Sequence, residues 1–286
     1  MVLYFVGLGL ADEKDITVKG LEAVRSSDRI YLEAYTSQLL VPCETLEAFY
    51  EKPVIVATRE MVESEADSIL DGADTGNVSF LVVGDPYGAT THTDLELRAR
   101  ERDIPVEVVH NASVMNAVGA VGLQLYRYGE CLSIVFFTQS WQPDSFYDRL
   151  VSNRAAGLHT LCLLDIKVRE PTMESLARGR PVYAPPRFMT AARAAKQLLQ
   201  IERRRQGGVA GPEAIAVAVA RLGARDQKIV AGTLGQLAEV DMGPPLHSLV
   251  VVGDCHHIEE EALKRYMLPQ DAPAGGLEDE DWEDGA

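Results

Sequence analysis

The 286-residue chain lacks the features that would assign it to several large classes of proteins. No apolar run is long enough to span a bilayer, and no internal repeat is present. The sequence therefore predicts neither a membrane protein nor a repeat array. No basic segment precedes a longer apolar core at the amino terminus, so we expect no targeting peptide and a cytoplasmic location.

Cysteine and histidine are few and are poorly spaced for binding a metal. The four cysteines are widely separated and form no Cys-x-x-Cys pair: they are Cys43, Cys131, Cys162 and Cys255. The six histidines show no metal-ligand spacing, and the adjacent His256 and His257 favour a solvated loop. We predict reduced intracellular thiols, no disulfide framework and no metal site.

Positive charge is also in short supply. The net charge is −16 at pH 7, and residues 271–286 hold seven acidic side chains without a lysine or arginine. The rest of the chain is still acidic, so we predict no nucleic-acid partner. The basic cluster Arg203–Arg205 favours the solvated end of a helix, with contact to an acidic partner as the alternative. We predict that residues 269–286 form a disordered acidic tail.

Three predicted strands end in small or polar residues that expose the backbone. Val2–Val6 runs into Gly-Leu-Gly-Leu, although the third glycine of a dinucleotide-binding fingerprint is missing. Val78–Val83 ends at Gly-Asp-Pro, and Val106–Val109 is followed by a helix start at Ser113. Ligands bind at the carboxyl ends of strands in open α/β sheets, so we expect a small-molecule site at this edge. Simple capped strand-to-helix turns are the alternative.

Alternating strand and helix patterns in the first half, with further strands at Arg29–Tyr31 and Val54–Val56, predict a parallel sheet covered on both faces. After a turn near residue 126 the pattern changes. The second half carries strand patterns at Leu132–Phe137, Thr160–Ile166, Ile215–Arg221 and Ser248–Val252, and helical patterns at Asp144–Ala156, Thr190–Glu202 and Ile229–Ala238. We predict two α/β domains, residues 1–125 and 126–268, with a cleft between them.

A series of sequence blocks resembles the diphthine synthase family. In chain order they are Gly7–Leu10, Tyr31–Thr36, Val83–Pro86, Gly88–His92, His110–Ser113, Asn116–Gly119, Leu161–Lys167, Ala220–Gly223, Asp226–Lys228 and Pro245–Ser248. The Gly-Asp-Pro block alone indicates only the wider tetrapyrrole methylase superfamily. Together with Tyr126–Gly129 and Trp141–Pro143, the full set is most similar to the eukaryotic members of the family.

The resemblance implies two α/β domains of tetrapyrrole-methylase type, with the cofactor in the cleft between them, and a methyltransferase that uses S-adenosylmethionine and releases S-adenosylhomocysteine. It implies that the protein substrate is translation elongation factor 2, in which a 3-amino-3-carboxypropyl histidine receives three methyl groups on its amine and one on its carboxylate. Archaeal members add three. The resemblance further implies a homodimer. Carried over position by position, the cofactor-binding residues are Leu10, Asp85, Gly88, Ser113, Val114, Leu164, Leu222 and His247.

A sulfonium methyl group is already activated, so positioning supplies most of the rate. We therefore predict no indispensable general base and assign no catalytic residue. The carboxylate of Asp85 suits the ammonium group or ribose hydroxyls of the cofactor.

Three aromatic side chains are candidates to contact a quaternary ammonium product through their ring faces: Tyr126, Tyr128 and Phe136. Ordinary packing is the alternative. Two other functions stay open: methylation of a tetrapyrrole ring, and nucleoside binding without catalysis.

Overall fold

The computed structural model of the protein describes residues 1–73, 75–168, 183–275 and 282. The chain divides into two compact units, Met1–Ala117 and Val118–Ala286. The division lies at 117/118 rather than at 125/126, because the single turn Val118–Val121 is built into the second unit and contacts one of its strands. Within the described residues, no helix has both the length and the apolarity that crossing a membrane requires.

The first unit is built on a parallel sheet. Its five described strands are β1 (Leu3–Gly7), β2 (Arg29–Glu33), β3 (Ile55–Ala57), β4 (Val78–Val82) and β5 (Val106–Val109), in the spatial order β3-β2-β4-β1-β5. Every pairing between these strands is parallel. Alternate residues of a strand face opposite sides, so Phe5 and Phe80 join one buried cluster while Val6 and Leu81 join another. The predicted parallel sheet with two covered faces is confirmed.

Short helices connect these strands. They are α1 (Val18–Ser26), α2 (Cys43–Tyr50), α3 (Arg59–Glu63), α4 (Asp67–Leu70), α5 (Thr93–Glu101) and α6 (Val114–Ala117). Thr17 caps α1 by accepting the amide N–H of Gly20 at 3.0 Å. A Cβ on Gly20 would lie 2.9 Å from Val6, so this glycine lets α1 approach β1 closely.

The second unit contains a mixed sheet. In chain order the described strands of the unit are β6 (Leu132–Ile134), β7 (Thr160–Leu164), β8 (Ile166–Lys167), β9 (Arg187–Phe188), β10 (Ile215–Ala220), β11 (Lys228–Thr233) and β12 (His247–Val251). The sheet has the order β11-β10-β12-β7-β6, and β8 and β9 form a separate pair. Its described α-helices are α7 (Tyr147–Ala155), α8 (Ala191–Arg205), α9 (Leu234–Leu237) and α10 (His257–Lys264).

Two local predictions for the second unit are wrong. Ile229–Ala238 is not a helix: β11 pairs antiparallel with β10 from Ala220↔Lys228 to Ile215↔Thr233, and only the single turn α9 follows. The His256–His257 pair is exposed, as predicted, but it forms the start of α10 rather than a loop. The Glu259 carboxylate accepts the amide N–H of His256 at 2.7 Å and so closes a capping box.

The predicted disordered tail falls partly outside the described residues, at 276–281 and 283–286. Its described part is tied to the second unit, because the carbonyl of Pro269 accepts a hydrogen bond from Gln236 and the amide of Gly275 donates to Gly235, both at 2.9 Å. Trp282 is 3 % exposed, and its indole N–H donates to Gln200 at 2.6 Å. The prediction of disorder therefore does not hold for these residues.

The four cysteines are all free. Burial raises the pKa of the Cys131 thiol to about 11, so this group stays protonated at neutral pH. Across the part of the chain that the structure describes, no cluster of three His, Cys, Asp or Glu side chains could hold a metal ion.

Candidate functional site

The loops after β1, β4 and β5 are bound to one another at the carboxyl edge of the parallel sheet. Gly9 and Gly84 form a bridge in which each amide donates to the other carbonyl, at 3.2 and 2.7 Å. Both have positive φ, 80° and 81°, which favours glycine. The Asn111 side-chain amide donates to the carbonyls of Gly7 and Asp15, both at 2.9 Å. The structure thus brings together the three strand ends that the sequence singled out.

Leu10 lies in the first of these loops and is half-buried. Its amide N–H donates to the Asp15 carboxylate at 3.1 Å, and the amide of Ala11 donates to the same oxygen at 2.8 Å. Asp15 therefore organises this turn. Because the amide N–H of Leu10 already donates to Asp15, it is not available to a ligand. The side chain of Leu10 could still form one wall of a ligand site.

Asp85 is the best-supported side chain of this edge. One carboxylate oxygen accepts the amide N–H of Tyr87 at 2.9 Å, and the other accepts the amide of Asn111 at 3.0 Å and lies 2.9 Å from Nδ1 of His110. Desolvation raises the pKa of Asp85, but these hydrogen bonds outweigh it and hold the pKa below its ordinary value. The group is therefore an anion at neutral pH, held in a fixed orientation.

Gly88 and Ser113 lie in contact across the loops after β4 and β5. A Cβ on Gly88 would lie 2.7 Å from the Ser113 hydroxyl oxygen and 2.9 Å from its Cβ. Ser113 is 7 % exposed, its amide donates to Asn116 Oδ1 at 2.9 Å, and Val114 follows as the first residue of α6. Glycine is therefore needed at position 88 because Ser113 fills the space that a side chain would take. The exposed backbone of Gly88 also suits the approach of a ligand.

We expect Gly88→Ala to lower the free energy of unfolding by about 1–2 kcal/mol, because the added methyl group overpacks this contact. Gly88→Ala combined with Ser113→Gly should recover most of that loss, since both contacted side-chain atoms are then removed. Chemical denaturation of the two variants, with Ser113→Gly alone as the control, measures the coupling between the two positions. If Gly88→Ala lowers the free energy of unfolding equally with and without Ser113→Gly, the contact between these two positions does not cause the loss.

The second unit brings Leu164, Leu222 and His247 to one edge of its own sheet. His247 is the first residue of β12 and pairs with Ala220, which ends β10 and precedes Leu222 by two residues. On the other side of β12, Ser248 pairs with Leu163, so Leu164 ends β7 beside His247. Because β12 runs antiparallel to both neighbours, its start coincides with their ends.

The His247 ring already makes hydrogen bonds within the chain. Nδ1 accepts the amide N–H of Ala191 at 3.3 Å, and Nε2 donates to the carbonyls of Gly243 and Pro244 at 3.1 and 2.9 Å. Burial lowers the pKa of His247, so the ring is neutral at pH 7. With both ring nitrogens engaged, His247 is available to a ligand through packing or its main chain rather than through a ring N–H.

Sequence reasoning missed two residues that shape these edges. Asn111 fixes the loops of the first unit. Arg221, with φ 52°, donates to the carbonyl of Met242 at 3.0 Å and to Asp226 at 2.7 Å, and so fixes the loops next to Leu222. Both residues lie in sequence blocks that resemble the family; Arg221 directly follows β10, and Asn111 is the second residue after β5. A polar residue at a strand end was the signal that could have found them.

The aromatic candidates lie in different environments. Tyr126 is 78 % exposed, whereas Tyr128 is largely buried, with its ring 5.4 Å from that of His159. Phe136 is buried, and the guanidinium groups of Arg187 and Arg193 lie 4.9 and 5.0 Å from its ring centroid. The Phe136 ring is thus already in contact with cations of this chain.

Comparison with known proteins identifies the class. The family model described as Tetrapyrrole (Corrin/Porphyrin) Methylases matches residues 2–238. A protein of Schizosaccharomyces pombe named diphthine methyl ester synthase is 59% identical over 93% of this chain and 95% of its own. A Mus musculus protein of the same name is 56% identical over 96% of this chain and 100% of its own.

A solved structure described as a putative diphthine synthase from Entamoeba histolytica agrees in fold. It superposes with a TM-score of 0.83 at 44% identity, covering 94% of this chain and 99% of its own. The family match and the fold define a methyltransferase of the tetrapyrrole methylase class. The chain belongs to the tetrapyrrole methylase family and, within it, to the diphthine synthases. The family resemblance predicted from the sequence is confirmed.

Proposed function

We propose that the protein methylates the 3-amino-3-carboxypropyl histidine of translation elongation factor 2, placing three methyl groups on the amine and one on the carboxylate. The product is diphthine methyl ester. The observation that carries the proposal is similarity over nearly the whole chain to proteins named diphthine methyl ester synthase, including all of the mouse protein. We further propose that it works in the cytoplasm as a homodimer.

We propose S-adenosylmethionine as the methyl donor, bound by Leu10, Asp85, Gly88, Ser113 and Val114 of the first unit and by Leu164, Leu222 and His247 of the second. The residues fit this cofactor chemically. Asp85 supplies an oriented anion for an ammonium group or ribose hydroxyls, and Gly88 supplies backbone that a ligand can approach. When bound, the cofactor supplies a methyl group activated by its sulfonium charge.

The two acceptor groups make different demands on the protein. An amine must lose a proton for each methyl group that it gains, whereas a carboxylate is already ionised at neutral pH. Neither acceptor needs a strong base, and orientation of well-aligned partners is worth about 7–11 kcal/mol. The residues that hold acceptor and donor in line should therefore matter more than a proton acceptor.

The intact mass of elongation factor 2 bearing the 3-amino-3-carboxypropyl histidine, after incubation with the protein and S-adenosylmethionine, tests the proposal. We expect four added methyl groups, and no added mass on a factor that lacks the 3-amino-3-carboxypropyl group. Three methyl groups would indicate the archaeal type of reaction. No added mass, with cofactor binding shown by calorimetry, would overturn the proposed substrate. Light scattering then checks the proposed homodimer separately.

A further inference from the structure

A basic cavity lies in the second unit, next to the edge that carries His247. It has a volume of about 440 Å³ and is lined by Phe136, Arg187, Phe188, Thr190, Ala192, Arg193 and Lys196. Its described lining holds three cationic side chains and no acidic one, in a chain whose net charge is −16. Ala191, between two of the lining residues, donates its amide N–H to His247 at 3.3 Å, so the cavity adjoins one of the proposed cofactor residues.

Two of these cations contact the same aromatic ring. The guanidinium carbons of Arg187 and Arg193 lie 4.9 and 5.0 Å from the Phe136 ring centroid. Positive charges that line one cavity favour an anionic ligand in it. Lys196 adds a third positive charge and also lies 3.7 Å from the Glu239 carboxylate.

Arg193 is held in place from two sides. Its guanidinium donates to the carbonyl of Phe137 at 3.3 Å and lies 4.9 Å from the Trp282 ring centroid. Trp282 in turn packs edge-to-face on Phe137, with ring centroids 5.8 Å apart, and donates to Gln200. An arginine fixed between aromatic rings needs little reordering when it binds an anion.

We propose that this cavity is a carboxylate-binding subsite, and that its ligand is the carboxylate of the 3-amino-3-carboxypropyl group of the substrate. Guanidinium groups match the geometry of a carboxylate, and the two phenylalanine rings suit the aliphatic chain that carries it. Holding the carboxylate also fixes the amine on the same carbon atom while methyl groups are added. This inference rests on the proposed function.

The chain itself holds a second source of carboxylates, the acidic residues on either side of Trp282. The sequence places Glu278, Asp279, Glu280 and Asp281 directly before Trp282, and Glu283 and Asp284 directly after it. Carboxylates tethered next to a basic cavity would compete with those of a substrate. The experiment must therefore separate the substrate carboxylate from the carboxylates of the C-terminal residues.

The first test is Arg187→Gln. We expect the KM for the modified elongation factor to rise about tenfold, as loss of one charge-assisted hydrogen bond predicts, while the Kd for S-adenosylmethionine stays unchanged. Arg187→Lys keeps the charge and should recover part of the affinity, and Arg225→Gln on an exposed loop is the matched control. An unchanged KM for Arg187→Gln would overturn the inference while leaving the proposed function intact.

Two further measurements separate the possible outcomes. Binding of L-2-aminobutyrate, followed by NMR, requires no methyl transfer, and we expect it in the parent protein but not in Arg187→Gln. If L-2-aminobutyrate binds equally to the parent protein and to Arg187→Gln, or binds to neither, the cavity is not a carboxylate-binding subsite. If L-2-aminobutyrate binds but elongation factor 2 is not methylated, the proposed function is wrong, and so is the assignment of the substrate carboxylate to this cavity. Amide replacement of the six acidic residues that flank Trp282 should leave KM unchanged; a marked fall would show that the C-terminal carboxylates occupy the cavity.

Discussion

Replacing Asp85 by alanine is expected to weaken the binding of S-adenosylmethionine by about 100-fold, equivalent to about 3 kcal/mol. A hydrogen bond to a charged group is worth about 1.5–3 kcal/mol, and the upper end applies here because a second cost is added. The amides of Tyr87 and Asn111 lose their acceptor, so the loops after β4 and β5 lose a shared anchor. Ligand binding must then restore order that the parent protein already has.

Isothermal titration of the purified variants with S-adenosylmethionine measures this effect directly. Asp85→Asn keeps an acceptor oxygen of the same shape but removes the charge, so its loss should be intermediate. Asp94→Asn is the matched control, because Asp94 is exposed on α5 and pairs with Arg98 at 2.8 Å. Equal affinity of Asp85→Ala and the control would remove Asp85 from the cofactor site.

The first unit shows how far a sequence can predict which residues share one edge of a sheet. Parallel strands deliver their carboxyl ends to one edge, so β-branched runs ending in glycine and aspartate were enough to place Asp85 and Gly88 there. The partners of Asp85 were not predictable in the same way. His110 and Asn111 lie after another strand, and their contacts depend on loop conformations that have no period along the chain.

The second unit shows where local pattern fails. The run Ile229–Thr233 is short and apolar, and a run of this length fits a buried strand or a helix equally well. The segment is a strand because it pairs antiparallel with β10, the strand directly before it in the chain, and this pairing is not encoded in the run itself. The prediction for Trp282 was wrong for a different reason. An acidic composition predicts disorder, but the large apolar ring of Trp282 is buried against Phe137 and holds this residue in place.

Replacing Glu259 by alanine is expected to lower the free energy of unfolding of the second unit by about 3–5 kcal/mol, because several hydrogen-bond donors lose a charged acceptor at once. The Glu259 side chain is fully buried and accepts the amide N–H groups of Gln124 at 2.9 Å and His256 at 2.7 Å. It also accepts from His159 Nε2 at 3.3 Å, while Nδ1 of the same ring accepts the amide of Gly253 at 2.9 Å. Truncation leaves three donors without an acceptor.

Urea denaturation followed by tryptophan fluorescence isolates this unit, because the two tryptophans of the chain, Trp141 and Trp282, both lie within Val118–Ala286. Glu260→Gln is the matched control, since Glu260 is the exposed neighbour on the same helix. A midpoint for Glu259→Ala that equals that of the control would mean that this network contributes nothing to the stability of the unit.

The same pair determines how stability depends on pH. Burial lowers the pKa of His159 despite the nearby Glu259, so the unfolded chain takes up this proton first. The stability that a neutral His159 contributes is therefore complete above about pH 6.5, the ordinary histidine pKa, and is lost as the pH falls below it. Desolvation raises the pKa of Glu259, but its hydrogen bonds outweigh that effect and lower it. Its contribution is complete above about pH 4.3 and is lost as the pH falls further.

Because the two losses fall in different pH ranges, one substitution separates them. We expect His159→Gln to reduce the fall in stability that begins near pH 6.5, to the part that the buried His247 contributes, and to leave the more acidic fall in place. The comparison uses the slope of the unfolding free energy against pH, so a uniform loss of stability in the variant does not affect it. Identical slopes for the parent and the variant between about pH 7 and pH 5 would show that His159 has the same pKa in the folded and unfolded chain.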